Sequence, residues 1–405
     1  MGRQGINRRD FIGKTTAGLV STGLGLPLLR GKIFSQEQPN KIIYRTLGRT
    51  KLRIPIVSFG VMNSDSSDLI RKAVDMGINH LDTANVYLRG NSEISIGRTL
   101  EEGKLRDKVY IGTKIRLARD NAKNVFISSG PAREPLATKE NFQKQLETSL
   151  KRLRTDYVDI LYLHSCYSPD MVTYEPLMEE LIKAKKQGKA RFIGLSTHKN
   201  EPDVIRAAVD TNVYDVILTA YGIIQGYKDD VQKAIQYAAS KDIGIVAMKT
   251  HGGVRRNRRA DPGIDHASAF KWVLSDENVC TTIPGMTTFE QLDFNFKVMN
   301  DYALSTQDKI AVQRAAKLEN PFYCQNCRSC VSSCPQRVEI PNLMRAYMYS
   351  EGYGNLIQAE MTIDVLAEDK GLKACSTCSA CSATCAYGIN ISHRLNSLAA
   401  HGFAR

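Results

Sequence analysis

Eight of the ten cysteines fall after residue 320, in two tight groups. Cys324, Cys327, Cys330 and Cys334 spell C-x2-C-x2-C-x3-C with Pro335 next, and Cys375, Cys378, Cys381 and Cys385 spell it again. The likeness runs past the thiols, because Val338 and Ile340 stand at the same offsets from the first run as Ile389 and Ile391 from the second. Disulfide frameworks scatter cysteines over a small fold, whereas tight regular groups read as metal ligands. This spacing is the one that wraps thiolates around [4Fe–4S] clusters. Zinc sites space their cysteine pairs more widely and fit it less well. Cys166 and Cys280 stand alone in the body of the chain and read as small core side chains; a reactive thiol at Cys166 is the alternative.

A second set of residues suits carbonyl chemistry. Asp82, Lys114 and His164 lie at the ends of short apolar runs, and Tyr87 follows five residues after Asp82. A hydride arriving at a carbonyl carbon leaves charge on oxygen, so a proton donor must wait there. Tyr87 can be that donor. Its phenol is too weak an acid near its ordinary pKa of ~10. An ammonium at Lys114 would lower that value, Asp82 would keep Lys114 charged and aimed, and His164 would bond the substrate oxygen.

These groups converge only if the chain positions them. From Lys41 onward, short Val/Ile-rich runs alternate with helical patterns eight times. The runs are Ile54–Gly60, His80–Ala84, Val109–Lys114, Val158–His164, Arg191–Ser196, Asp215–Tyr221, Gly244–Lys249 and Cys280–Gly285. Such runs suit parallel strands buried on both faces. Between them, Phe142, Leu146, Leu150 and Leu153 make one helical stripe, and Val231, Ala234, Ile235, Ala238 and Ala239 another. Eight strand–helix units predict an α/β fold, a (β/α)8 barrel, whose active site lies at the C-terminal strand ends. An open doubly wound sheet would carry a Gly-rich fingerprint after its first strand, and none is present. Tyr44–Pro55 reads as a hairpin turning at Gly48. Thr306–Leu318 and Gln358–Leu366 read as helices. The first of these, at 1.5 Å per residue, is about 20 Å long, enough to bring the tail back beside the catalytic mouth.

The strings YRTLGRTKLRIP (44–55), DTANVYLRGNSE (82–93), GTK (112–114) and YLHS (162–165) resemble the aldo/keto reductase family over roughly 41–299. The resemblance implies that Asp82, Tyr87, Lys114 and His164 are the family's catalytic tetrad. It also implies a nicotinamide cofactor, NADP(H) by default and NAD(H) otherwise. The matching cofactor positions are Ser196 and Thr197 after the fifth strand, Met248 and Lys249 at the seventh, and Gly285, Thr287, Gln291 and Asn295 after the eighth. They depart from the family pattern: Leu218 replaces a Gln, Met248 a stacking Tyr, and no Arg marks a 2′-phosphate. The cysteine tail resembles a two-cluster ferredoxin, with helical patterning between its runs. That implies crossed ligand sets, Cys324, Cys327, Cys330 and Cys385 for one [4Fe–4S] cluster, and Cys375, Cys378, Cys381 and Cys334 for the other. Ala386 stands where the first run has Pro335.

At the N-terminus, Asn7–Lys14 reads NRRDFIGK and precedes an uncharged stretch, Thr15–Leu29, too short for a spanning helix. It resembles a twin-arginine export signal, implying a periplasmic protein that touches the membrane only through an uncleaved signal. Residues 1–40 are thus read as signal and linker, 41–300 as barrel, 301–320 as a connecting helix, and 321–405 as a small, mostly helical ferredoxin-like domain. An apolar share of 42% with 24% charged residues describes an ordinary globular chain. The net charge of +13 comes without a recognition motif or aromatic–basic platform, so nucleic acid is not an expected partner. The loop Gly252–Arg259 (GGVRRNRR) could clamp a pyrophosphate or an acidic substrate, and Ile115–Pro135 could shape substrate choice. His198 reads as a surface or cofactor-edge residue. The expected function is an oxidoreductase interconverting a carbonyl and an alcohol, such as a sugar or a related polar molecule. Its clusters would relay electrons to or from a redox partner protein. The alternative is an electron-transfer or binding protein whose barrel no longer turns over.

Overall fold

The Val- and Ile-rich runs pair side by side in the computed structural model, which describes residues 42–250, 265–317 and 323–403. Eight parallel strands follow one another in chain order: β1 (Phe59–Gly60), β2 (His80–Asp82), β3 (Tyr110–Ile115), β4 (Val158–Leu163), β5 (Ala190–Thr197), β6 (Val216–Ala220), β7 (Gly244–Met248) and β8 (Thr281–Thr282). Bridges from Val57 to Thr282 and from Gly60 to Gly285 join the first strand to the last, which closes the sheet into a barrel. Glycine at 60 permits that seam, because a Cβ there would stand 2.6 Å from the Ile283 carbonyl oxygen.

The strand helices are α1 (Ser67–Asp75), α2 (Asn91–Gly103), α3 (Lys139–Leu153), α4 (Glu175–Lys186), α5 (Glu201–Thr211), α6 (Lys228–Ser240), α7 (His266–Leu274) and α8 (Phe289–Asn300). Several start where a side chain satisfies an orphan N–H: Ser66 accepts from Leu69, Thr138 from Asn141 and Thr288 from Gln291. The α3 stripe Phe142, Leu146, Leu150 and Leu153 is buried, as are Val231, Ala234, Ile235 and Ala238 of α6, whereas Ala239 is only half-buried. Each large apolar side chain so removed from water contributes about 1.5–3 kcal/mol. The expected hairpin is Tyr44–Thr46 against Arg53–Pro55. It turns at Gly48, whose φ of 47° and contact with the Gly244 backbone leave no room for a side chain. Leu47, Leu52 and Ile54 pack with Ile160, Val216 and Val246 in one core cluster.

Past α9 (Thr306–Lys317) the cysteine region folds around α10 (Ile340–Tyr347), α11 (Leu356–Asp364) and α12 (Ile391–Ala400). The repeated apolar pairs, Val338 with Ile340 and Ile389 with Ile391, are all buried in a core that also takes in Ile223, Ile224 and Ala269 of the barrel. The described residues belong to one compact unit, and the tail rests on the C-terminal face of the barrel. Asn355 Nδ2 donates to Asn63 Oδ1 after β1 (2.8 Å), and Arg89 after β2 pairs with Glu360 (2.6 Å). Arg133 after β3 donates to the Asp364 carbonyl (3.0 Å), and Gln325 Nε2 donates to the Ile224 carbonyl after β6 (3.1 Å). The N-terminal segment, the loop Gly252–Arg259 and Leu318 lie outside the described residues. Among the described residues no helix is long and apolar enough to cross a membrane.

Candidate active site

The strand ends bring the four polar residues together. Asp82 ends β2 opposite Gly112, whose missing side chain leaves Asp82 Oδ2 and the Tyr162 ring the space between them. Lys114, on β3, donates to Asp82 Oδ1 and to the Thr83 carbonyl (2.7 Å), and both charged residues are 1% exposed. Its ammonium lies 4.8 Å from the centroid of the Tyr87 ring. The Tyr87 and His164 rings meet edge to face at 5.8 Å. Tyr87 is aimed by a tight turn in which Leu88 and Arg89 both take left-handed backbone (φ 49° and 55°), at about 1–2 kcal/mol each. The Arg89–Glu360 pair from the tail braces that turn.

Burial is the first cause of every shift at this site. Burial, with Asp82 adding to it, holds the Tyr87 phenol above its ordinary value, and Arg116 is the cation that opposes them. Tyr87 is therefore a neutral acid at physiological pH. Burial likewise raises Asp82 and lowers Lys114, each against the pull of the other's charge. Burial and then the charges of Lys114, Arg116 and Arg119 hold the His164 imidazole far below its usual range. A neutral imidazole can orient a carbonyl oxygen by a single hydrogen bond.

A cavity of about 450 Å3 opens beside Tyr87 and Asp82, within the range of small-molecule and cofactor sites. Of the expected cofactor residues, Met248, Lys249, Gly285, Thr287, Gln291 and Asn295 line it, and Tyr353 of the tail covers part of it. Lys249 lies 5.7 Å from the Tyr349 ring centroid of the tail, and burial, then the Arg345 charge, hold its ammonium well below the usual lysine range. Ser196 and Thr197 stand outside the cavity. The Ser196 hydroxyl accepts from the Ser165 N–H (2.9 Å) and the Thr197 hydroxyl donates to the Lys199 carbonyl (2.9 Å), so both are occupied in shaping the strand end. Cys166 is fully buried and its thiol is pushed up to about 12, which makes it a core residue; burial raises Cys280 as well. His198 is half-buried, with its ring hydrogen-bonded to Tyr167 and Arg345.

The cysteines form two cages. Cys324, Cys327, Cys330 and Cys385 surround one cavity, and Cys334, Cys375, Cys378 and Cys381 surround another. Burial raises the thiols of Cys324, Cys330 and Cys375, and crowding by other thiols of their own cage raises each further. Among the described residues no group of three or more His, Cys, Asp and Glu side chains is placed to hold a metal ion. In each cage one thiol is exposed, Cys327 and Cys381.

Sequence reasoning missed Arg116, Arg119, Tyr167 and Arg345, which line a second, smaller cavity together with His164. Arg116 carried a signal: it stands two residues past Lys114, just beyond the end of β3. Arg345 carried none, because its place depends on how the tail docks.

Comparison with known proteins agrees with this geometry. The Aldo/keto reductase family profile matches residues 57–268, and a 4Fe-4S dicluster domain profile matches 323–389. L-glyceraldehyde 3-phosphate reductase of Escherichia coli (strain K12) is 33% identical over 328 residues, 67% of this chain and 92% of that protein. L-galactose dehydrogenase of Arabidopsis thaliana is 25% identical over 323 residues, 69% of this chain and 95% of that one. The solved structure of an aldo-keto reductase from Bacillus halodurans, in its holo form, shares the fold with a TM-score of 0.57, at 20% identity over 68% of this chain and 97% of its own. The chain belongs to the aldo/keto reductase family and is an oxidoreductase that carries a 4Fe-4S dicluster domain over its barrel.

Proposed function

We propose that the chain interconverts a small carbonyl compound and its alcohol at the cavity beside Tyr87. The observation that carries this is the placing of the Tyr87 ring between Lys114 and His164 at that cavity's edge. In the reductive direction Tyr87 gives its proton to the carbonyl oxygen as charge develops there, and His164 holds that oxygen by a hydrogen bond. The Asp82–Lys114 pair fixes the floor beneath the phenol. A bound nicotinamide would supply the hydride; Met248 and Lys249 would flank it, and Thr287, Gln291 and Asn295 would hold its far end. NADP(H) is the family default, and the lack of a marker arginine keeps NAD(H) as the alternative.

The two cysteine cages fit a pair of [4Fe–4S] clusters, whose chemistry is one-electron transfer. Oxidising an alcohol to a carbonyl releases two electrons and two protons, so two such centres match one turnover. Exposed Cys327 and Cys381 offer a redox partner protein access to both cages. The names of the relatives, a reductase of a triose phosphate and a dehydrogenase of a hexose, favour a sugar-like substrate. Tyr87→Phe keeps the ring and removes the proton, so turnover should fall about a hundredfold to ten-thousandfold with substrate binding nearly intact. Near-normal turnover would sink the assignment.

We further propose export by the twin-arginine route to the periplasm. Arg8, Arg9 and the weakly apolar stretch after them support it, as does the need to insert clusters before a folded protein crosses the membrane. A folded reporter behind residues 1–40 should stay inside when Arg8 and Arg9 both become Lys. Equal export of the two versions would refute the reading.

A further inference from the structure

A second, smaller cavity borders His164, between barrel and tail, and its charges do not balance. Arg116 and Arg119 reach it from the loop after β3, and Arg345 reaches it from α10. Glu134 is the one carboxylate bonded to this set among the described residues: it accepts from Arg116 Nε and stands 3.9 Å from Arg119. Arg345 has no carboxylate partner there, and its Nη1 reaches Tyr167 Oη (3.1 Å) and His198 Nδ1 (2.8 Å) instead. Arg119 is 8% exposed. Its Nη1 donates to the His164 carbonyl (2.9 Å), while its buried Nε has no protein partner. Three guanidinium groups, those of Arg116 and Arg119 almost wholly buried, against one directly bonded carboxylate, with the Glu201 charge acting on Arg345 from farther off, are costly unless an anion completes them. Their field is felt at Tyr167: burial raises its phenol, yet Arg345, Arg119 and Arg116 together hold it below the ordinary value.

The free space is about 30 Å3. About two water-sized groups fill such a volume, which matches the two oxygens of a carboxylate better than the tetrahedral bulk of a phosphate. Arginine forks suit a planar carboxylate. His164 borders this cavity, and its ring meets the Tyr87 ring edge to face.

We propose that this cavity seats the carboxylate of the substrate, so that the enzyme works on an oxo acid and its hydroxy acid. The anion rests on Arg119 and Arg345 while the carbonyl reaches Tyr87 and His164. This rests on the function proposed above: the carbonyl carbon gains a hydride from the reduced nicotinamide and its oxygen gains the Tyr87 proton. The tail thereby becomes part of the substrate site through Arg345, in addition to its redox role.

The test uses the cluster-loaded full chain and acetate as probe, titrated calorimetrically. Arg119→Gln and Arg345→Gln should each weaken acetate binding by about tenfold or more, the loss of a charged hydrogen bond. Glu134→Gln should tighten it, a sign that structural damage would not produce. Tyr87→Phe should leave acetate binding unchanged, so a failure of the proton-donor role and a failure of this site read out separately. In turnover, 4-oxobutanoate should be preferred to butanal in kcat/KM by about tenfold to a hundredfold, and Arg345→Gln should abolish the preference. Acetate binding indifferent to all three charge changes would overturn the proposal, as would weaker binding in Glu134→Gln. So would inorganic phosphate binding more tightly than acetate, which would assign the arginines to a phosphorylated substrate.

Discussion

Replacing Asp82 by Asn should cost the fold far more than removing the whole ion pair. Asp82 and Lys114 are each 1% exposed. With the carboxylate gone, the Lys114 ammonium is left with one neutral partner, the Thr83 carbonyl at 2.7 Å. Breaking a buried pair from one side costs about 3–5 kcal/mol. In a domain of this size each kcal/mol lowers the unfolding midpoint by about 2–4 °C, so a fall of about 6–20 °C is expected. Lys114→Met strands the carboxylate instead, whose Oδ2 already lacks a partner, and a comparable loss follows. The double variant removes both charges, and its loss should shrink to about 1–2 kcal/mol. Scanning calorimetry on the four cluster-loaded proteins closes the double-mutant cycle. Additive losses in the double variant, or an Asp82→Asn midpoint within a degree of the parent, would refute a charged pair at this site.

Acid should destabilise the protein through its buried histidines. Burial, aided by the Lys114 charge, pushes His80 down to about 3, and His164 is also held far below its usual range. Both stay neutral in the fold while the unfolded chain protonates them. Stability is therefore full above about pH 6.5 and falls below it by about 1.4 kcal/mol per pH unit for each histidine. Urea midpoints measured between pH 7 and 5 should show this slope, and His80→Gln should reduce it by one histidine's share; an unchanged slope would count against the burial reading. In the cysteine cages, Cys385→Ser should perturb the same cluster signal as Cys324→Ser, and Cys334→Ser the same one as Cys375→Ser. Electron paramagnetic resonance of reduced samples reads this, and pairing of Cys385 with Cys375 instead would break the crossed assignment.

The barrel was legible because β-branched runs and 3.6-residue stripes are local signals. Each of the eight expected runs contains or overlaps a barrel strand, with ends shifted by a few residues; in the first, only Phe59–Gly60 form the barrel strand, beside the Val57–Thr282 bridge. The tetrad was legible because strand ends of a barrel converge whatever their sequence separation. What stayed hidden depends on packing between distant segments. Ser196 and Thr197 look available as letters, yet their hydroxyls are taken by neighbouring backbone. The raised phenol of Tyr87 comes from burial, to which the tail contributes. His198 looks solitary in the sequence and acquires its environment from Arg345, well over a hundred residues on.

The tail's position over the mouth sets an order of events in the life of the chain. A polypeptide leaves the ribosome N-terminus first, so the barrel can close its seam while the segment that roofs it is still being made. During that interval the cavity beside Tyr87 lacks Tyr353 above it, and the turn after Tyr87 lacks the brace from Glu360. The roof then folds around two cages whose cysteines come from both halves of an internal repeat. One cage waits for Cys381 and the other for Cys385, so neither is complete until the second run has been synthesised. Maturation of the metal centres and completion of the catalytic chamber are thus a single late step, and a chain cut short before Cys375 would have neither.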